Sequence, residues 1–194
     1  MGIKSKRRDL ALIYSDVPAS AAAVFTRNVV CAEPIKLSRK HIKNGKAQAF
    51  VINSGNANAC TGTKGMEGAM AMAETTAKEL KIPIDSVIVA STGLIGEPFP
   101  TDKVLNGIRE SAKKLSSRDI AGSLAANAIL TTDTFAKEGF TSFAIGGTEI
   151  NMAGIAKGSG MIHPNMGTML GFIVCDIAIS SKLLDEALRT AVDK

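Results

Sequence analysis

The chain has 194 residues, enough for a sizeable core in one or two domains. Hydrophobic residues make up 45% and charged residues 21%, which is typical of a globular protein and not of a disordered or collagen-like one. The net charge of +5 is spread along the chain, and seven Phe, one Tyr and no Trp argue against a base-stacking nucleic-acid platform.

The compartment is predicted from the cysteines and the apolar runs. Cys31, Cys60 and Cys175 are odd in number and widely spaced, which favours reduced thiols over a disulfide framework, and no C-x-x-C pair is available to hold zinc. The apolar runs are too short to span a bilayer, and the first residues lack the apolar core of a signal peptide. We therefore expect a cytoplasmic protein that binds neither membrane nor metal.

Short apolar runs bounded by turn residues predict four strands in the first 52 residues. They are Asp9–Ser15, Ala21–Phe25, Val29–Cys31 and Ala47–Ile52. Val17-Pro18 is expected to end the first strand and Pro34 the third, because proline interrupts regular structure. A helical turn is predicted over Ser38–Lys43, and Asn44-Gly45 is a tight-turn signal.

Residues 53–62 form a loop rich in asparagine and glycine. Its amides can cap the following helix and turn, or they can line a polar site, and the sequence leaves both interpretations open. The helix is predicted over Lys64–Leu80. Its core face has helical spacing and consists of Met66, Met70, Ala73, Ala77 and Leu80.

A buried strand at Ser86–Ala90 runs into the small-residue turn Ser91-Thr92-Gly93. Such a turn leaves backbone N–H groups free to stabilise an oxyanion, although the residues alone favour an ordinary turn. Two helices follow. One has Thr101 as its N-cap and Val104, Leu105, Ile108 and Leu115 facing inward; the other spans 118–130, with Ser117 as its N-cap and Ile120, Leu124 and Ala128 on one face.

The last elements are a loop, a hairpin, a strand and a helix. The loop Thr131-Thr132-Asp133-Thr134 is expected to hydrogen-bond to itself. Alternation around Gly146-Gly147 predicts a hairpin of Phe140–Ile145 and Thr148–Gly154. A strand at Met169–Cys175 precedes a helix with Ser180 or Ser181 as its cap and Leu183, Leu184, Ala187, Leu188 and Ala191 on one face.

Thr168 lies where the polar loop 156–168 enters this last strand. A Thr hydroxyl can attack the preceding carbonyl, and hydrolysis of the resulting ester leaves a new N-terminal Thr whose amine can act as a base. A free α-amino group suits this task because it titrates near pH ~8. The residues alone favour the plainer interpretation, a β-branched residue at the start of a strand.

Other catalytic motifs do not fit. The glycines of A-K-G-S-G lack the order of a phosphate-binding loop, and Ser159 lacks a nucleophile elbow. His41 and His163 are isolated in the sequence, so neither a Ser-His-Asp system nor a metal site is predicted. His163 is expected to form hydrogen bonds within its loop and not to act as a base.

Long segments of the chain resemble the ornithine acetyltransferase family of arginine biosynthesis, also called bifunctional glutamate N-acetyltransferase/amino-acid acetyltransferase. The segments, in order, are D-L-A-L-I-Y-S-D-V-P-A-S-A-A-A-V-F-T, V-I-N-S-G-N-A-N-A-C-T-G, A-S-T-G-L-I-G, L-T-T-D-T-F-A-K and A-K-G-S-G-M-I-H-P-N-M-G-T-M-L. The resemblance implies an α/β fold of stacked sheets flanked by helices. It also implies that the chain is an N-terminal half, lacking a short leading segment and a C-terminal portion.

The resemblance implies roles for particular residues. Cleavage between Gly167 and Thr168 would separate an alpha-chain portion, 1–167, from the start of a beta chain, 168–194. Thr168 is then the nucleophile, Thr92 and Gly93 form the oxyanion hole, and Thr131, Lys157 and Thr168 bind substrate. Without the resemblance, a lone lysine such as Lys157 would be expected at a solvated surface.

The implied reaction moves acetyl from N-acetylornithine to glutamate in a heterotetramer of two alpha and two beta chains. No cofactor is implied, and use of acetyl-CoA as a further co-substrate stays open. Gly167 replaces the alanine that usually precedes the nucleophile, and Val174-Cys175-Asp176-Ile177 differs from the usual T-T-D-A. The alternatives are a self-processing N-terminal-Thr aminopeptidase or amidase of similar architecture, and a structural fragment that never cleaves.

Overall fold

A computed structural model describes residues 1–5, 7–162 and 166–193. The strands and helices follow in chain order. They are β1 (Leu10–Ser20), α1 (Glu33–His41), β2 (Lys46–Asn56), α2 (Gly62–Leu80), β3 (Val87–Leu94), α3 (Thr101–Ala112), α4 (Asp119–Ala128), β4 (Lys137–Ile145), β5 (Thr148–Lys157), β6 (Leu170–Cys175) and α5 (Ser181–Val192). Short 3-10 helices span Ile42–Asn44 and Ile84–Ser86.

The first three strands form one sheet in the order β1-β2-β3, with β1 antiparallel and β3 parallel to β2. Successive side chains of a strand point to opposite faces, and β2 follows this rule. Ala49 and Val51 pack against the helices α1, α2 and α3, whereas Phe50 and Ile52 belong to a second apolar cluster on the other face. Both faces of this sheet are therefore covered.

The last three strands form a second, antiparallel sheet in the order β4-β5-β6. It packs on the first sheet through the second cluster, in which Phe172 of β6 lies beside Ile52 and Ala128. The rings of Phe50 and Phe172 lie 5.3 Å apart between centroids, with their planes tilted by 60°. The predicted α/β class, with two sheets flanked by helices, is confirmed.

Two proline predictions were wrong. The strand β1 continues through Val17-Pro18, because its pairing with β2 is irregular between Tyr14 and Ala19, and an edge strand tolerates proline at such a bulge. Pro34 lies in the first turn of α1 and does not end a strand, since its missing N–H costs nothing in the first helical turn. Residues 21–31 form neither of the two strands predicted there.

The caps of α3 and α4 were also mispredicted. Pro100 is the N-cap of α3 and Arg118 that of α4, and neither side chain makes a capping hydrogen bond. Val104 and Ile108 are buried as expected. Leu115, Ile120 and Leu124 are exposed, because no described element covers them.

The strongest local patterns were predicted correctly. The helix α2 begins two residues before the predicted start and ends at Leu80, with Ala73 and Ala77 buried. The β4–β5 hairpin turns at Gly146-Gly147, where both glycines have positive φ. Ser180 caps α5 by accepting a hydrogen bond from the Leu183 amide at 3.3 Å.

Candidate active site

The carboxyl end of β3 approaches β2 so closely that it requires a glycine. Gly93 has φ +137, and a Cβ built there would lie 2.3 Å from the carbonyl carbon of Gly55 and 2.5 Å from the amide nitrogen of Asn56. A residue with a side chain would meet both the steric conflict and the unfavourable backbone angle. Gly93 is exposed and Thr92, beside it, is buried.

The asparagine loop supports this strand end. Asn53 accepts a hydrogen bond from the Ser91 hydroxyl at 2.5 Å and donates to the Asn56 carbonyl at 2.9 Å. Asn58 donates to the Gly65 carbonyl at 2.8 Å, at the start of α2. These side chains satisfy nearby backbone and side-chain groups of the protein itself. The predicted capping of the helix is wrong, however, because the N-cap of α2 is Thr61 and no described side chain makes a capping hydrogen bond there.

Lys157, at the end of β5, crosses from the second sheet to the first. It is only 2% exposed, and its Nζ donates to Thr92 Oγ1 at 2.5 Å. Burial lowers the pKa of Lys157 to about 8; the charge of Asp133 opposes this shift and that of Lys137 adds to it. The expectation of a solvated lysine is therefore wrong, and two residues that the resemblance singles out are in direct contact.

Asp133 joins this site, and sequence reasoning missed it. Its Oδ1 accepts from Lys137 Nζ at 2.6 Å and from the Gly158 amide at 2.8 Å, and its Oδ2 accepts from the Thr131 amide at 3.5 Å. Burial alone would raise the pKa of Asp133, but these hydrogen bonds outweigh it, so the pKa lies below its ordinary value. The sequence signal that could have found Asp133 is the lysine four residues later, Lys137, with which it forms an ion pair.

Thr168 lies two residues before the start of β6, the strand that pairs with the end of β5. Lys157 pairs with Leu170, two residues after Thr168, and a Cβ on Gly158 would lie 3.2 Å from Met169 Cγ. The end of β5 and the start of β6 therefore lie side by side.

Two hydrogen bonds hold Thr168 in place. Its amide and its hydroxyl both donate to the Met161 carbonyl, at 2.9 and 2.7 Å, and Thr168 is half-buried. Gly167 has φ +38, and a Cβ there would lie 2.9 Å from the same carbonyl oxygen. Glycine in place of the usual alanine thus fits this position.

Thr131 is linked to this region through the backbone. Its amide shares the Asp133 carboxylate with Gly158, and the next residue, Thr132, accepts from the Gly160 amide at 3.3 Å. The structure therefore brings Thr92, Lys157 and the backbone of Thr131 together. His163 lies outside the described residues.

No metal cluster is found within residues 1–5, 7–162 and 166–193, where no three His, Cys, Asp or Glu side chains are placed to hold an ion. Two surface depressions lie elsewhere, one beside Arg39, Lys43 and Asp185 and one beside Cys60, Lys64 and Phe99. Neither is lined by Thr92, Lys157 or Thr168.

Comparison with known proteins identifies the family. A profile of the ArgJ family matches residues 1–194. The chain belongs to the ArgJ family. The resemblance found in the sequence is thereby confirmed. None of the helices in the described part of this ArgJ-family chain is long and apolar enough to cross a membrane.

Curated relatives of this ArgJ-family chain carry the name "Arginine biosynthesis bifunctional protein ArgJ". The protein of Caldanaerobacter subterraneus subsp. tengcongensis is 52% identical over 193 residues, covering 100% of this chain and 47% of the relative. That of Listeria monocytogenes serovar 1/2a is 52% identical over 195 residues, covering 100% and 48%. The chain thus spans about half the length of the curated relatives it matches.

Two solved structures share its fold. The crystal structure of ArgJ from Bacillus halodurans has a TM-score of 0.80 and 45% identity, and the match covers 86% of each chain. The ornithine acetyltransferase of Mycobacterium tuberculosis, complexed with ornithine, has a TM-score of 0.76 and 36% identity, with 86% of this chain and 88% of that chain covered.

Proposed function

We propose that the full-length protein moves an acetyl group from N-acetylornithine to glutamate in arginine biosynthesis, through an acetyl-Thr168 intermediate. The observation that carries this proposal is the contact of Lys157 with Thr92. Lys157 also pairs with Leu170 at the start of β6, two residues after Thr168. Family membership supports the same activity, and one relative of known structure was solved with ornithine bound.

The nucleophile is prepared by cleavage of the Gly167–Thr168 bond. The free amine of Thr168 takes the proton of its own Oγ as that oxygen attacks the acetyl carbonyl. The tetrahedral oxyanion receives hydrogen bonds from the Thr92 hydroxyl and the Gly93 amide, and a donor of this kind is worth about 10²–10³ in rate. Collapse breaks the C–N bond, the amine proton passes to the leaving ornithine nitrogen, and acetyl stays on Thr168.

The second step is the reverse of the first, with glutamate in place of ornithine as the amine. The amino group of glutamate attacks the acetyl ester, the same donors hold the oxyanion, and the proton lost by glutamate returns to Thr168 Oγ through the α-amine. The products are N-acetylglutamate and the free Thr168 side chain. Lys157 and Thr131 are the proposed substrate-binding residues, and a cation suits substrates that carry carboxylates.

The rest of the substrate site is assigned to the missing half. The chain spans about half of its curated relatives, yet the match covers 86% of the solved Bacillus halodurans chain, so that chain is also about half as long as the curated relatives. Division of a precursor into two chains would give this result. Residues 1–167 and 168–194 are then the alpha portion and the start of the beta chain, in a cytoplasmic heterotetramer of two copies of each.

Self-cleavage is the first test. Full-length protein should give two masses that correspond to a break before Thr168, and Thr168→Ala should remain one chain because it has no hydroxyl to attack the Gly167 carbonyl. Intact mass spectrometry after purification measures this. The matched control is Thr148→Ala, at the exposed hairpin turn, which should cleave normally. A single uncut species that transfers acetyl normally would refute the mechanism. A single uncut species that transfers no acetyl would favour the structural fragment that never cleaves.

Acetyl transfer is the second test. Cleaved full-length protein given N-acetylornithine and glutamate should produce ornithine and N-acetylglutamate in equal amounts, measured by chromatography. Lys157→Ala should lower the rate about 10²-fold, since Thr92 loses its partner and the substrate a cation, while circular dichroism stays unchanged. Release of acetate without N-acetylglutamate would favour the hydrolase alternative. A coupled assay with acetyl-CoA tests the second acetyl source.

A further inference from the structure

The carboxylate of Asp133 ties three segments of the chain together. It joins the loop after α4, through the Thr131 amide, to the start of β4, through Lys137, and to the end of β5, through the Gly158 amide. The side chain of Asp133 is fully buried, so it cannot touch a substrate. Its contacts act on the residues around it.

Of the three contacts of Asp133, the hydrogen bond from the Gly158 amide is the one that acts on the proposed active site. The Thr131 amide lies two residues away in sequence and its hydrogen bond is long, at 3.5 Å. The Gly158 amide lies 25 residues away, and its hydrogen bond to the carboxylate is 2.8 Å long and charge-assisted. This bond is not part of the local turn that contains Asp133. Gly158 directly follows Lys157, so this bond restrains the backbone that carries the lysine.

We propose that Asp133 is a positioning residue whose carboxylate holds the Lys157–Gly158 end of β5, so that the Lys157 ammonium stays hydrogen-bonded to Thr92. The inference rests on the proposed acetyl transfer, in which the Thr92 hydroxyl donates to the oxyanion. An ammonium can only donate, so it directs the Thr92 hydroxyl hydrogen outward. The negative charge of Asp133 also favours the charged form of Lys157, because it raises the pKa of that ammonium against the effect of burial.

The charge of Lys157 decides the direction of the Thr92 hydroxyl. A neutral lysine amine has a lone pair and can accept the Thr92 hydrogen, which withdraws the donor from the oxyanion. The activity should therefore fall as pH rises through about 8, the pKa of Lys157. Within the described residues, the charged groups that act on Lys157 are Asp133, which raises its pKa, and Lys137, which lowers it.

The experiment uses two variants of the full-length protein with opposite expected effects. Asp133→Asn keeps the shape of the side chain but removes its charge, so the alkaline limb of the kcat profile should move to lower pH and kcat should fall by up to about 10²-fold through misplacement of the site. Lys137→Met removes the competing cation, so the alkaline limb should move to higher pH. The acid limb, set by the Thr168 amine, serves as the internal reference.

A second readout needs no substrate. The Lys157 side chain, observed by NMR in lysine-labelled protein and assigned by its loss in Lys157→Met, should titrate at lower pH in Asp133→Asn and at higher pH in Lys137→Met. An unchanged Lys157 titration and an unchanged kcat in Asp133→Asn overturn the inference. If Asp133→Asn does not fold, Asp133→Glu replaces it: the longer side chain keeps the charge but cannot keep the same 2.8 Å bond to the Gly158 amide, so kcat should still fall, and an unchanged kcat overturns the inference. If the wild-type protein transfers no acetyl but the Lys157 titration shifts as expected in the two variants, the proposed function is refuted. The placement of Lys157 by Asp133 would still stand.

Discussion

Two buried polar side chains of the first half of the chain, His41 and Ser38, are paired with backbone carbonyl groups. His41, isolated in the sequence, lies 2.7 Å from the Val87 carbonyl oxygen, and the Ser38 hydroxyl donates to the Val89 carbonyl at 2.7 Å. Thr76 in α2 differs, because its Oγ1 is buried and finds no hydrogen-bond partner among the described residues. An unpaired buried hydroxyl loses its hydration without compensation.

We expect Thr76→Val to stabilise the full-length protein by about 1–2 kcal/mol. Valine has the same shape, and the substitution removes the desolvated hydroxyl while helix propensity hardly changes. Thermal unfolding measures the effect as a rise in Tm. Thr75→Val, at the half-exposed neighbouring position, is the matched control and should leave Tm nearly unchanged. A drop in Tm for Thr76→Val would mean that the hydroxyl has a partner in the complete protein.

At the scale of elements, the end of β3 is shaped by β2. The two strands are parallel, and their register shifts where Gly55 and Gly93 face each other. This close approach places Thr92 within reach of Lys157 and leaves Gly93 exposed beside it. Gly93 thus has a packing role as well as its proposed place in the oxyanion hole.

We expect Gly93→Ala to destabilise the full-length protein by roughly 2–5 kcal/mol, from backbone strain and the clash with Gly55 together. Gly96→Ala is the control, because Gly96 has φ +81 but a Cβ there would meet nothing within 4 Å. It should show the strain alone, about 1–2 kcal/mol. The Tm of both variants measures the difference, and equal losses would argue against the steric conflict.

At the scale of the whole molecule, the second sheet is much less covered than the first. Nearly every residue of β4 is exposed, including Phe140 at 70% and Ile145, and Ile173 of β6 is exposed as well. Apolar side chains on both faces of a hairpin are unusual for a sheet that stands alone. The curated relatives are about twice as long as this chain. We propose that the second half of the full-length protein, which would correspond to the rest of the relatives' length, covers this hairpin.

Phe140→Asp in the full-length protein should therefore lower Tm, with a loss of about 2–4 kcal/mol, because a charge would enter a buried apolar contact. Val29→Asp is the control, since Val29 is 95% exposed and lies in a segment without regular structure. Thermal unfolding and size-exclusion chromatography measure stability and assembly. If both variants behave like the wild type, the hairpin is not covered by the second half.

The sequence by itself determined the features whose signals are local. The helix α2, the Gly146-Gly147 hairpin and the Ser180 cap follow from patterns that repeat within a few residues. The motifs around Thr92, Thr131, Lys157 and Thr168 were sufficient to indicate the family. The caps at Thr101 and Ser117 were wrong, because several neighbouring residues could begin each helix and propensity alone does not select one.

Only the tertiary structure decided how the site is held together. Lys157 meets Thr92 across 65 residues, and Asp133 meets Gly158 across 25. Such contacts leave no periodic mark in the sequence, because they depend on how two sheets pack and not on which side chains are neighbours along one strand. The burial that lowers the pKa of Lys157 has the same origin, since it comes from elements distant in the chain.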